Sequence, residues 1–344
     1  MNLKRFPAAA VLLTGLLEIA VRTTAADGLS SNAKGPAATV AAAQAFLATL
    51  DAPTRAKAVF AFNNQEQRAR WSNLPTGIYE RAGVRLGDLT PKQRESVMAL
   101  LASALSKSGF EKVRAIMEGD ETLRSGNSGK LVFGRDEFYV SILGAPSTKE
   151  PWMLQFGGHH LALNITLAGD RGSLAPSHTA AQPARFTLDG KSLRALGEET
   201  DIAVSLINAL DESQRKQAIL GAQFRDLVLG PGQELKPLVP EGVKVSTFNE
   251  PQRTLLLSLI RQWVGILPDH AADPKMAEIK AGLAETWFAW SGPTTPGGAA
   301  YFRIQGPAVW IELAPQRLGG DPTQHLHTIY RDPTNEYGRQ WWKP

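Results

Sequence analysis

The chain has 344 residues, 43% hydrophobic and 20% charged, enough for one large domain or two ordinary ones with a sizeable core. Its formal net charge is +4, and with no dense Lys/Arg run the composition speaks against nucleic acid as a partner. Cysteine is absent, which removes disulfides, thiol catalysis and thiolate metal sites together.

Residues 1–26 read as a signal peptide. Lys4 and Arg5 form a basic start, Ala8 to Leu17 a short apolar core, and Thr24-Ala25-Ala26 a small-residue cleavage site. Glu18 interrupts the end of the apolar core, which is too short to span a bilayer. The alternative is an uncleaved membrane anchor. Without cysteine, an exported protein of this size fits a bacterial periplasm or exterior, with no membrane span once the signal is removed.

Residues 27–37 form a flexible lead-in, and residues 38–167 the first half of the folded part. Ala38 to Leu50 is an Ala-rich helix. Asp51 is placed to cap a second helix running from Thr54 to Arg70, and Thr90 to cap a third that ends near Ser106. Val97, Leu100, Leu101, Ala104 and Leu105 make the third helix's apolar stripe, and Phe110 to Glu121 is a fourth helix. Asp136 to Leu143 and Trp152 to Leu167 alternate like strands and make a hairpin pair around Gly144-Ala145-Pro146.

The order then recurs. Ala48-Thr49-Leu50-Asp51 is echoed by Asn208-Ala209-Leu210-Asp211, and Gly83-Val84-Arg85-Leu86 by Gly242-Val243-Lys244-Val245. Phe138 to Ala145 is echoed by Thr286 to Pro293, and Phe156-Gly157-Gly158 by Ile304-Gln305-Gly306. These collinear matches predict an α+β fold built by internal duplication of a helices-then-β-hairpin unit about a pseudo-twofold axis. Its hairpins would meet in one shared antiparallel sheet. Residues 168–200 join the halves, and 201–344 form the second half with a polar C-terminal segment, the whole being one structural domain.

These pieces resemble a bacterial family of exported proteins, the domain of unknown function numbered 3500. The resemblance rests on Trp152 to Asn164 around Phe156-Gly157-Gly158-His159-His160, on Glu66 to Trp71, and on His325 to Gly338. It covers nearly the whole chain after the leader and implies no activity, cofactor or substrate.

The chemistry-bearing residues are unevenly shared between the halves. His159 and His160 align with Pro307 and Ala308, while His325-x-His327 follows the second hairpin and only His178 follows the first. Three imidazoles, or two with a carboxylate, make the open ligand set of hydrolytic Zn and of several Cu or Fe sites. The metal ligands expected are therefore His325, His327 and one of His159 and His160, since on a strand only one of that pair faces the same way. The cofactor would be a divalent metal, Zn or Cu. Asp332 or Glu336 would complete the set or orient an imidazole. Arg331 would hold an anionic group, and Tyr330 or Tyr337 would donate a hydrogen bond. Glu66, Arg70 and Trp71 are candidate substrate contacts, with sugar stacking on Trp71 or Trp152.

The same residues also fit a structural account: a His pair capping a hairpin, a wet His-x-His strand face, a local Arg331–Asp332 pair before a turn, and a solvated helix face at Glu66, Arg68 and Arg70. No Gly-x-Ser-x-Gly is present, and Gly-x-Gly occurs only as Gly230-Pro231-Gly232, which disfavours serine-hydrolase and nucleotide-binding chemistry. The leading expectation is an exported metal-dependent hydrolase acting on a small-molecule or oligomeric extracellular substrate. The alternative is a non-catalytic periplasmic binding protein for a small anion or sugar. The sharpest expectation is that His159 or His160 lies within reach of the His325/His327 pair.

Overall fold

Short polar side chains start the helices where the sequence places them. The computed structural model describes residues 35–127, 129–233, 235–318 and 320–342; the expected leader and most of the lead-in lie outside the described residues. Helix α1 is Pro36–Ala48, and α2 is Ala52–Ala58, where the Asp51 carboxylate accepts from the Thr54 N–H at 2.9 Å. The expected helix from Thr54 to Arg70 is broken. Val59–Phe60 forms strand β1, and a new helix, α3 (Gln65–Ala69), starts behind the Asn64 cap. The β-branched and aromatic run gains more by pairing with a sheet than by continuing a helix. Strand β2 (Val84–Arg85) precedes α4 (Pro91–Ala104), capped by Thr90 in a reciprocal pair with Gln93, and α5 (Lys107–Thr122), capped by Ser106.

Strands β3 (Tyr139–Leu143), β4 (Trp152–Gly158) and β5 (Leu161–Ala168) follow. The run from Trp152 to Leu167 is therefore itself a hairpin. Gly158 pairs with Leu161, leaving His159 and His160 as a two-residue turn in which His160 is left-handed at φ 64°. Beyond it, β6 (Arg171–Ser173), β7 (Ser177–Ala181), β8 (Arg185–Leu188) and β9 (Lys191–Arg194) occupy most of the expected connector.

The second half runs α6 (Gly197–Ala209), α7 (Glu212–Ala218), β10 (Val243–Lys244), α8 (Glu250–Val264) and α9 (Asp269–Ala281). It ends in β11 (Trp287–Ser291), β12 (Tyr301–Gly306), β13 (Val309–Pro315), β14 (Leu326–Arg331) and a 3-10 segment, Glu336–Trp341.

The fold is mixed α+β. Twelve strands form one sheet in the order β1-β3-β4-β5-β7-β14-β13-β12-β11-β10, with β2 on β3 and β6 on β5, while β8 and β9 pair separately. The expected sheet was antiparallel throughout; the sheet is mixed, because β1 runs parallel to β3. One face packs under the helices. Trp152, Leu154, Phe156, Leu163 and Ile165 are buried there with Val97, Leu100 and Leu101 of α4.

Cross-strand partners share a face, so the other face can be followed from pair to pair. Gln155 lies opposite Asn164, Ala162 opposite His178, His178 opposite Ile329, and Ile329 opposite Glu312. His327, two residues before Ile329, lies on that same face. The segment between α7 and β10 covers part of it, with Leu229 packed on Trp310 and Ile329. The buried Glu312 carboxylate anchors this cover, accepting from the Val228 and Leu229 N–H groups at 2.7 and 2.8 Å. It also accepts from the Tyr301 hydroxyl and the Trp310 indole.

Candidate metal centre

β14 sits at the middle of the sheet between β7 and β13, so His327 projects from the middle of the sheet. His325 precedes it by two residues and keeps the pairing, because its carbonyl accepts from the Gln316 N–H. The two rings consequently emerge on one side, as the alternation of strand side chains requires. The β4–β5 turn brings His160 to the same place. Its Nε2 lies 3.0 Å from the His325 Nε2, which lies 3.0 Å from the His327 Nε2. The three residues are only 2–7% exposed. They form one of two groups, among the described residues, whose ligand atoms lie within 4.8 Å of one another.

The outer nitrogens fix two of the three tautomers. The Leu318 carbonyl can only accept, so the His325 Nδ1 facing it at 2.7 Å carries the proton. The His327 Nδ1 faces Asp226 at 3.4 Å, and that carboxyl stays below the ordinary range because bonds to His327 and the Leu227 N–H outweigh its partial burial. The inward nitrogens of His325 and His327 are thus bare lone pairs in contact. Two lone pairs at 3.0 Å repel, and a shared cation removes the conflict. Tetrahedral Zn–N bonds of about 2.0–2.1 Å separate ligating nitrogens by roughly 3.3 Å. The observed spacing needs only a few tenths of an ångström of opening.

Burial favours the neutral imidazoles, as ligands must be. It pushes His325 down to about 4, against the opposing bond to Leu318. His160 is held well below its ordinary value by burial and then by its His neighbours. His327 is lowered by burial in spite of Asp226.

His159 does not join these three converging nitrogens. Because the pair lies in a turn rather than a strand, consecutive rings stack, with centroids 3.5 Å apart. The His159 Nδ1 meets the buried Asp120 carboxylate at 2.5 Å, and Asp120, His159 and His160 make the second group of ligand atoms. His178 lies beside the first group, its ring centroid 5.3 Å from that of His327.

The C-terminal segment is split by strand alternation. Arg331 turns to the cover side, where Glu336 pairs with it and the Leu229 and Gln233 carbonyls accept from it. That carboxylate already neutralises the guanidinium. Tyr330 lies on the helix side and, with Asp332, lines a separate cavity of about 280 Å³. Asp332 accepts from Lys275 and from the Thr334 and Asn335 N–H groups. Neither Asp332 nor Glu336 contacts an imidazole; Asp226, Leu318 and Asp120 do.

Tyr337 is left-handed at φ 54° and accepts the Trp71 indole N–H on its hydroxyl at 2.8 Å. Burial pushes that phenol up to about 12. Glu66 is exposed and loosely paired with Arg70 at 3.9 Å, on a solvated helix face. Trp152 is fully buried in the core, so it offers no surface to a sugar. Arg68 departs from the solvated-face expectation: it is buried, stacked over the Phe62 and Trp342 rings, and donates to the Tyr337 carbonyl.

Three residues at the site, Asp120, Asp226 and Leu318, were not anticipated. Asp120 carries a readable signal, since it continues the apolar face Val113, Ile116, Met117 of α5. An acid in a helix's buried stripe needs a partner. Asp226 carries none, because it lies in the irregular segment between α7 and β10.

No helix among the described residues is long and apolar enough to cross a membrane. Searches of curated proteins and of solved structures find no match to the chain. A family model described as protein of unknown function (DUF3500) matches residues 32–339. A match over most of the sequence settles membership: the chain belongs to the DUF3500 family.

Proposed function

We propose that the chain is an exported metal-dependent hydrolase whose ion, Zn or Cu, is held by His160, His325 and His327. One observation carries this reading: three imidazoles converge, the His325 Nε2 lying 3.0 Å from the Nε2 atoms of both His160 and His327, while two of the outer nitrogens are engaged by acceptors. Three neutral ligands leave the ion its full charge and a fourth coordination position. When bound, such an ion polarises a carbonyl or activates water. The chain's own part is to fix the rings through Asp226 and Leu318 and to exclude bulk solvent. The enclosure of the rings favours a small molecule over an oligomeric substrate.

Export is part of the reading, supported by the basic start, apolar core and small-residue site in residues 1–26. Sequencing the N-terminus of protein recovered from the cell exterior or periplasm checks it, with Asp27 expected first. For the hydrolase, small ester, amide and phosphate substrates are assayed with and without a chelator. Turnover that a chelator abolishes and added metal restores is the expected result; turnover indifferent to both contradicts it.

The alternative, a periplasmic binding protein for a small anion or sugar, draws support from the cavity of about 280 Å³ lined by Tyr330, Asp332, Lys275, Arg171 and Trp341. Metal-loaded protein that turns nothing over, yet binds such ligands unless Trp341 is removed, favours it.

We also infer that the chain arose by duplication about a pseudo-twofold axis. The pairings support this. Val59 runs parallel to Ile142, as Ile219 does to Trp290, and Val84 opposes Val140 as Val243 opposes Phe288. The β4–β5 turn has its counterpart at Pro307-Ala308 between β12 and β13. At the seam Thr179 faces Thr328, their hydroxyls 2.7 Å apart. Halves that share this sheet should not fold separately. Residues 38–170 expressed alone are expected to lack a cooperative unfolding transition, and a sharp one would contradict the shared core.

A further inference from the structure

We propose that a second divalent cation binds beside the first, held by Asp120, His159 and His160, with the His160 imidazole bridging the two ions through its two nitrogens. The inference rests on the three-imidazole centre proposed above and adds a second ion to it.

The starting point is a difference among the three ligands. The His325 Nδ1 has the Leu318 carbonyl and the His327 Nδ1 has Asp226, but the His160 Nδ1 is fully buried and meets no partner among the described residues. A buried imidazole nitrogen with neither acceptor nor donor is an exception that needs a cause. Of the three rings, this is also the one that belongs to the second group of converging ligand atoms.

That group has the composition of a cation site. A carboxylate and two imidazoles suit Zn or Cu(II). Asp120 is 1% exposed on the apolar side of α5, where a carboxylate is poorly solvated and calls for a positive partner. Its oxygens meet the Gly134 N–H and the His159 ring. The two-residue turn holds the consecutive rings on one side, centroids 3.5 Å apart, and a nitrogen of each lies within 4.8 Å of the other and of an Asp120 oxygen. The stacked rings splay slightly when their in-plane lone pairs meet one ion. When the second ion binds, the His160 Nδ1 proton passes to solvent. The resulting imidazolate and Asp120 together offset part of the added charge.

The competing account makes Asp120 and His159 a hydrogen-bonded prop under His160, with no ion of their own. Metal counting on the full-length protein separates the two. After loading with Zn2+ and removal of excess, wild type should carry two ions per chain, and Asp120→Asn and His159→Gln one each. Loaded with Cu2+, wild type should show a magnetically coupled pair by electron paramagnetic resonance, and Asp120→Asn an uncoupled single ion. One ion per chain in wild type, unchanged by either variant, overturns the second site and leaves the first standing. Two uncoupled ions in wild type overturn the bridge. No ion in wild type overturns both readings. The wild-type count needs no variant to fold, and circular dichroism of the metal-free variants shows whether their counts compare like with like.

Discussion

His160 and His325 meet Nε2 to Nε2 at 3.0 Å across 165 residues of sequence. The contact joins the β4–β5 turn to the entry of β14, so the site exists only when both segments have folded onto one sheet.

Ring orientation should be as important as the ligands themselves. Asp226 fixes the His327 ring from a side chain that is 60% exposed, so its removal disturbs little packing. Asp226→Ala is expected to weaken metal binding roughly 10- to 100-fold, read by competition against a chromophoric chelator. Unchanged affinity would remove Asp226 from the account.

The left-handed backbone at His160, φ 64°, separates its structural role from its chemical one. Glycine adopts that conformation freely, and a β-branched residue does so at a cost of about 1–2 kcal/mol. His160→Gly should therefore abolish metal binding yet unfold, metal-free, at higher denaturant than His160→Val. Equal stabilities would mean that the turn is not held as described.

Glu312 ties the cover segment to the sheet through four donors. Glu312→Ala leaves buried N–H and O–H groups without acceptors, at about 1–3 kcal/mol each when none finds water. A loss of several kcal/mol by denaturant titration, with new proteolytic cuts between α7 and β10, is expected. Resistance to protease equal to wild type would show that the segment is held by other contacts.

A pH test lies away from the imidazoles. Partial burial works to raise the Asp136 carboxyl, but the hydrogen bond from Arg124 and the charge of Arg94 hold it below the ordinary carboxylate range. A lowered folded-state value contributes stability above the unfolded pKa, and that contribution is lost as pH falls through the folded value. The pairs are partly exposed, which limits the effect to about 1 kcal/mol. Asp136→Asn should thus be slightly less stable than wild type near neutrality. The difference should begin to shrink near the ordinary Asp pKa of about 3.9 and vanish only once the pH lies below the lowered folded-state value. A gap that persists in acid would assign it to packing rather than charge.

Much of the helical part is legible in the sequence because caps and apolar stripes are local signals. Thr90, Asp51 and the stripe Val97, Leu100, Leu101, Ala104 mark helices that are present. The meeting of His160 with His325 and His327 agrees with the expectation drawn from the His-His and His-x-His pairs. What failed did so where tertiary pairing overrides local pattern. Val59–Phe60 leaves a helix to join β3, and the alternating run from Trp152 conceals a turn at its two histidines. In the polar C-terminal segment, density in sequence suggests one constellation. Strand alternation instead sends Arg331 and Tyr330 to opposite faces. Asp226 and the Leu318 carbonyl lie in irregular segments, where no periodicity points at a partner.

The central claim is a cation among three imidazoles, and anomalous diffraction from crystals of the metal-loaded protein tests it most directly. Data collected on either side of the metal's absorption edge should show a peak about 2.0–2.1 Å from the Nε2 atoms of His160, His325 and His327, absent in the His325→Ala, His327→Ala double variant. A metal peak elsewhere in the chain, with the three rings hydrogen-bonded to one another and no density between them, would contradict the account.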